Sequence, residues 1–298
     1  MGADAPRRRR PAISLRALLL LVLLAGLLLG WRVRRARDQE RVVQLLRTSG
    51  GTHHYDWEFV GGTFTPGREP PGPGWFRRLL GDAYFQEVSW VSLADHHPPE
   101  RSEEAGRSLD RVLVGLRTLD RLRELSIGGR QLHDPHMARV RDLASLERLE
   151  VWGAANLTDA GIVHLRGLDR LRSIAINDCS LRDASLGHLA EIPSLEELDL
   201  RGNRITDAGL ARLERLPRLR RLRLGYGRNE ITDRGMESLL RVESLEALDL
   251  GATKVGDAGL RLLEGLPRLA ELSTGRSRVT AEGIARFRGV RPGVRVIP

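Results

Sequence analysis

From Leu122 to the end of the chain, apolar residues return in one order. The pattern Leu-x-x-apolar-x-apolar starts at Leu122, Leu146, Leu171, Leu195, Leu219 and Leu245, at spacings of 24, 25, 24, 24 and 26 residues. A seventh copy starts at Leu269, with Thr274 in place of its third aliphatic, and Val294–Ile297 reads as a truncated eighth. Alternation of period two predicts a short strand in each copy. A turn follows, then an apolar-Thr/x-Asp-x-Gly-apolar motif and a short helical pattern, clearest at 205–217, 231–243 and 255–267. A period of this length predicts a stack of strand–turn–helix coils. One coil buries too little to be stable alone, whereas stacked coils share an aliphatic core and a parallel strand ladder.

This order resembles the leucine-rich repeat family, L-x-x-L-x-L-x-x-N/C-x-L, in its ribonuclease-inhibitor-like and cysteine-containing types. Leu195-Glu-Glu-Leu198-Asp-Leu200-Arg-Gly-Asn203-Arg-Ile205 and Leu171-Arg-Ser-Ile174-Ala-Ile176-Asn-Asp-Cys179-Ser-Leu181 carry the resemblance. It runs from Leu122 to Pro298 and implies an α/β solenoid, with parallel strands on the concave face and short helices on the convex face. Asn203 falls where a buried amide can bond the backbone of the turn. Cys179, Asn229, Thr253 and Ser277 hold the equivalent places, each with some hydrogen-bonding capacity, and Arg130 departs from them. Asp207 recurs as Asp134, Asp159, Asp183, Asp233 and Asp257. A Thr or Asp directly before a helical pattern predicts an N-cap. Gly209 recurs as Gly161, Gly235, Gly259 and Gly283, predicting close helix packing, while Ser185 and His136 break that rule.

A different pattern opens the chain. Ala17 to Trp31 is 15 apolar residues without a break, and extending back to Ala12 gives 20, interrupted by Ser14 and Arg16. Twenty residues at ~1.5 Å each give roughly 30 Å, enough to cross a bilayer core. A cleaved signal peptide needs a small-x-small site after the run. Here the run ends in Gly30-Trp31-Arg32-Val33-Arg34-Arg35, so residues 12–31 are read as an uncleaved single-pass anchor. Arg7–Arg10 and Arg16 flank one side, and Arg32, Arg34, Arg35, Arg37 and Arg41 the other, so charge leaves the orientation open. The organisation is therefore a basic flank (1–11), an anchor (12–31), a basic juxtamembrane segment (32–47), a cap with a first irregular coil (48–121) and the solenoid (122–298).

Within 48–121, Tyr55-Asp-Trp57-Glu-Phe59 alternates like a strand, and Arg68–Gly74 is a Pro/Gly loop. Trp75–Gly81 predicts a short helix, and Val88–Leu93 matches the repeat strand. A terminal coil needs a lid of this kind. The whole arrangement looks like that of bacterial membrane-anchored leucine-rich repeat proteins, a likeness that implies architecture more than activity.

Charge changes the functional picture. The sequence pI near 10.9 suggests nucleic acid. Residues 1–47, however, hold 11 Arg against Asp4, Asp38 and Glu40, and the other 251 residues hold 37 basic and 36 acidic groups. The excess flanks the apolar run, which points to membrane topology and excludes a nucleic-acid groove. Cys179 is the single cysteine, so no intrachain disulfide or CxxC metal ribbon is possible. His53-His54 and Asp95-His96-His97 match no zinc spacing. The recurring Asp residues supply one carboxylate per turn, too few for calcium. No cofactor, metal or small-molecule substrate is expected, and no catalytic motif occurs, so the chain is not read as an enzyme.

The expected function is protein binding on the concave face, through an unknown protein partner. Strand residues alternating with the leucines face that side. In the parallel register Glu197 abuts Arg221, and Arg223 lies between Asp199 and Asp249. The candidate contact residues are Trp152, Glu197, Asp199, Arg201, Arg221, Arg223, Tyr226 and Asp249. The alternatives are a substrate-recognition subunit of a ubiquitin-ligase-like complex, or an enzyme or metal protein built on 48–121. Nothing before Leu122 resembles an F-box.

Overall fold

The computed structural model describes residues 14–60, 63–65, 68–93 and 102–298. The flank 1–11, the first two anchor residues and the Asp95-His96-His97 motif lie outside the described residues.

Helix α1 runs from Leu15 to Thr48, capped by the Ser14 side chain. It passes through the 31/32 boundary unbroken, so that boundary is a change of composition and not of backbone. Its apolar half is bare: an 18-residue window long and apolar enough to cross a membrane has none of its residues buried. A signal sequence passes the same test of length and composition. The other half packs into the fold through Gln39, Val42, Val43 and Leu46. Val42 lies against Gly115 of helix α3 (Ser102–Leu116), where an added Cβ would sit 3.4 Å away. Gln39 is buried because it closes a strand end: it donates to the Gln86 carbonyl (2.9 Å) and accepts from the Val88 N–H (3.1 Å).

Between α1 and α3 lie strands β1 (Thr52–Tyr55), β2 (Phe59–Val60) and β3 (Thr63–Phe64), helix α2 (Gly74–Leu80) and strand β4 (Val88–Leu93). The strand expected over Tyr55–Phe59 is corrected. Asp56–Glu58 is a 3-10 turn, and Glu58 accepts from the Tyr55 N–H (2.8 Å), which ends β1 at Tyr55. β1 pairs antiparallel with β4 and forms the first edge of the main sheet. His53 and His54 sit on β1. His54 packs among Phe59, Phe64 and Trp90, with Glu58 at 3.4 Å.

From β4 onward every neighbouring pair is parallel and one coil apart. The coils alternate β5 (Glu124–Gly128), α4 (Asp134–Val140), β6 (Arg148–Trp152), α5 (Asp159–Ile162), β7 (Ser173–Asn177) and α6 (Asp183–Leu189). They continue through β8 (Glu197–Asp199), α7 (Asp207–Leu210), β9 (Arg221–Arg223) and α8 (Asp233–Leu239). The stack closes with β10 (Ala247–Asp249), α9 (Asp257–Leu263), β11 (Glu271–Ser273), α10 (Ala281–Val290) and β12 (Arg295–Ile297). Among the described residues the sheet has ten strands, ordered β1-β4-β5-β6-β7-β8-β9-β10-β11-β12. All three aliphatics of each L-x-x-L-x-L motif from Leu122 to Leu250 are buried. Ser145, Ser194 and Ser244 tie three of the coils to the one before, donating to the carbonyls of Leu122, Leu171 and Leu219 at 2.7–2.8 Å.

The turns after β5 to β11 adopt the left-handed backbone, at Gly129, Gly153, Asp178, Gly202, Tyr226, Ala252 and Arg276. Asn203 fills the space beneath this turn as expected. Its amide donates to the carbonyls of Ile176 (2.6 Å) and Leu200 (3.0 Å), and its oxygen accepts from the Leu181 N–H (3.2 Å). Asn229 repeats this one coil on, whereas Thr253 and Ser277 bond within their own turns. Cys179 donates to the Asn177 carbonyl and also takes a backbone hydrogen bond from Ala154, one coil earlier.

The recurring Asp is corrected from a cap of its own helix to a clamp on the next coil. Thr206 caps α7 by accepting from the Ala208 N–H. Asp207, the first helical residue, instead accepts from the Thr232 N–H (2.8 Å) and hydroxyl (2.6 Å) one coil later. Asp134, Asp183 and Asp257 hold Thr158, Thr206 and Thr280 in the same way. Asp159 and Asp233 keep only the backbone bond, because Arg182 and Gly256 stand where the Thr would be. The recurrent Gly belongs to the same device. A Cβ on Gly235 would sit 2.5 Å from Asp207 Oδ1, and one on Gly209 would sit 2.5 Å from Asp183 Oδ1. Glycine makes room for the clamping carboxylate.

Candidate strand-face binding site

Parallel register places equivalent residues about 4.8 Å apart across the sheet. The outward row at the strand starts reads Glu124, Arg148, Ser173, Glu197, Arg221, Ala247, Glu271 and Arg295. Its charges alternate in sign. Arg148 lies 3.9 Å from Glu124 and, across the short Ser173, 4.0 Å from Glu197. Arg221 lies 3.2 Å from Glu197, and Arg295 lies 3.7 Å from Glu271. Burial raises the Glu124 carboxyl above the usual range, with Arg148 acting against it.

The next outward row reads Ser126, Glu150, Ala175, Asp199, Arg223, Asp249 and Ser273. Asp199 is its hub. Its carboxylate accepts a forked pair from Arg201, Nε at 2.9 Å and Nη2 at 2.7 Å, and Arg223 stands 3.5 Å away. That hydrogen bonding raises the Arg201 guanidinium above its ordinary pKa. The register puts Arg223 between Asp199 and Asp249 as expected, but the pairing is one-sided. Asp249 turns to its own strand end and accepts from the Gly251 N–H at 2.9 Å.

Trp152, Glu197, Asp199, Arg201, Arg221 and Arg223 line a single groove of about 260 Å³ on this face. Two candidates fall outside its lining: Asp249, engaged as above, and Tyr226. Tyr226 is 45% exposed and held at φ 52, with its ring across Gly251. An exposed aromatic in the left-handed region is costly for a non-glycine residue and marks a place to test. Trp152 is 40% exposed, and its indole rests on the backbone of Gly128, where an added Cβ would lie 2.7 Å from the ring.

Sequence reasoning passed over the groove's floor and its second wall. Ser173, Ala175 and Asn177 of β7 form the floor, and Arg148 and Glu150 join Trp152 on β6. The signal was present: short Ser173 and Ala175 interrupt two rows of long charged residues, and a run of small outward side chains on one strand is a depression. Among the described residues no group of three or more His, Cys, Asp or Glu is placed to hold a metal ion. Cys179 is buried, and burial pushes its thiol up to about 11, far from a nucleophile's range.

No curated protein matches the chain. Residues 193–233 match the family model described as Leucine Rich repeats (2 copies). That match covers β8, α7 and β9, and with them the groove wall of Glu197, Asp199, Arg201, Arg221 and Arg223, so this part of the site stands on a segment similar to the leucine-rich repeat family.

Proposed function

We propose that the chain is a membrane-anchored leucine-rich repeat scaffold that binds a protein partner through its concave strand face and carries out no catalysis. Leucine-rich repeats generally mediate protein–protein interaction. One observation carries the reading: outward residues of four neighbouring strands, β6 to β9, converge on one groove, with the exposed Trp152 among them. Aromatic and arginine side chains are enriched at interface centres. The groove is shallow and polar, and its cations already have anionic partners, which suits a protein surface more than a small molecule.

Residues 12–31 supply the anchor in this reading. The helix continues from that segment directly into the cap. Arg35 sits one turn beyond Trp31 and lies within 3.5 Å of both Glu87 and Asp120 in the first coil. The solenoid would then stand against the bilayer with no flexible linker between them.

The test is in-cell crosslinking of full-length protein, with partners identified by mass spectrometry. Trp152→Ala and the pair Arg221→Ala/Arg223→Ala should each lose the same partner while keeping the parent melting temperature. Retention of every partner by both variants would refute the strand-face reading. Extraction of full-length protein by alkaline carbonate would refute the anchor.

A further inference from the structure

One carboxylate in the groove is answered by no cation. The Glu150 side chain makes no hydrogen bond or ion pair among the described residues. Its row neighbours are Ser126 and Ala175, which carry no charge. Arg148, two residues earlier on the same face, is committed to Glu124 and Glu197. Arg201 is held in the fork of Asp199. Arg221 and Arg223 are three strands away, roughly 14 Å at about 4.8 Å per strand, beyond the ~8 Å screening length of physiological salt.

Trp152 follows Glu150 by two residues and so projects from the same face of β6. One side of its indole covers Gly128 on β5. The groove lies toward β7, where Ala175 and Asn177 face it. The short Ala175 leaves open the space beside Glu150. An unpaired carboxylate, an open space and an accessible indole face are the complement of a cationic side chain. A guanidinium fits better than an ammonium, because its plane stacks on the ring while its edge donates to the carboxylate.

We propose that Glu150 and Trp152 form a subsite for an arginine side chain presented by the protein partner. The proposal rests on the strand-face reading and names the chemistry that face selects. An anionic group is disfavoured at this end of the groove, since it would meet Glu150 with no free cation beside it.

The experiment uses full-length protein in lipid nanodiscs with 5-fluorotryptophan at its five tryptophans. Loss of one fluorine signal in Trp152→Phe assigns Trp152. The probes are acetyl-Gly-Arg-Gly-amide and the same peptide with citrulline, a neutral isostere of arginine. The arginine peptide should shift the Trp152 signal saturably, and the citrulline peptide should bind at least tenfold more weakly. Glu150→Gln should weaken the arginine peptide at least tenfold without changing the melting temperature. Equal response to the two peptides, or an unchanged titration in Glu150→Gln, overturns the proposal. The crosslinking assay separates it from its parent. A partner lost by Arg221→Ala/Arg223→Ala but kept by Glu150→Gln leaves the strand-face reading standing and removes this subsite. A partner kept by every variant removes both.

Discussion

Replacing Asp207 by alanine is the sharpest test of how the coils are joined. The substitution removes the acceptor for the Thr232 N–H at 2.8 Å and the Thr232 hydroxyl at 2.6 Å. An orphaned buried donor costs ~1–3 kcal/mol, and the half-burial of Thr232 places this one near the lower end. The freed hydroxyl is also the cap of α8, accepting from the Arg234 N–H at 3.3 Å. Loosening it forfeits part of a cap typically worth ~1 kcal/mol. Asp207→Ala should therefore cost about 1–2 kcal/mol. Gly235→Ala alone should cost about 1–3 kcal/mol by overpacking, because its Cβ would meet Asp207 Oδ1 at 2.5 Å and Leu210 Cδ1 at 2.8 Å. In the double variant the carboxylate obstacle is gone. The pair should then cost less than the two single changes together, by at least ~1 kcal/mol. Urea unfolding of full-length protein, followed by circular dichroism, measures all three. Additivity within ~0.5 kcal/mol would refute the inter-coil clamp. Coupling of Asp207 to Thr206 in place of Gly235 would restore the simpler cap within one helix.

Other outcomes follow from the same geometry. Asn203→Ala should destabilise by roughly 2–4 kcal/mol in the urea assay, since it strands the Leu181 N–H and the Ile176 carbonyl beneath a buried turn, while the Leu200 carbonyl keeps the Asn229 amide. Thr274→Val should stabilise by about 1 kcal/mol: Thr274 is buried where other coils place Leu, Ile or Val, and its hydroxyl has no partner. Cys179, buried and with its pKa raised to about 11, should resist iodoacetamide at pH 8 in native protein and react at once in urea. His53 tests the cap. Burial, with Arg47 and His54 beside it, holds its pKa below the usual 6.5, so as pH falls through 6.5 the unfolded chain takes the proton first. Stability should be full above pH 6.5 and decline below it, with a slope of at most ~1.4 kcal/mol per pH unit. His53→Phe should flatten that decline between pH 7.5 and pH 5, read by thermal melting.

The sequence made the coils legible because burial in a stack imposes a period, and leucine spacing records it directly. The strand starting near each of Leu122 to Leu269 follows from that spacing alone. What it hid was contact between coils. Asp207 precedes a helix, and in one dimension that is what an N-cap looks like. Only the stack reveals that the carboxylate points at residue 232 and that Gly235 clears its path. The cap region was harder for a related reason. Tyr55–Phe59 alternates in hydropathy, but a side-chain bond from Glu58 to the Tyr55 N–H turns the chain, and alternation carries no trace of that bond. The unbroken α1 was likewise concealed by the change from leucine to arginine at residue 32, since arginine continues a helix as well as leucine does.

The two outward charge rows show why the interruptions matter more than the pattern. A parallel, in-register stack sets identical positions side by side, so an exactly copied repeat would line up like charges. Two such charges 4.8 Å apart repel by about 0.9 kcal/mol even at the dielectric of water. This chain alternates sign instead. Glu124, Arg148, Glu197 and Arg221 do so on the strand face, and Arg123–Glu147, Arg172–Glu196 and Arg220–Glu246 do so one residue earlier, with pairs at 3.6–3.8 Å. Individually such pairs contribute little. Collectively they leave the face electrically quiet, with no field that would draw one partner over another. In the proposed strand-face reading, selectivity would come from positions that break the alternation: Ser173 and Ala175, which open the groove, and Glu150, whose charge no cation among the described residues cancels. The period builds the surface, and in that reading its exceptions are what a partner would recognise.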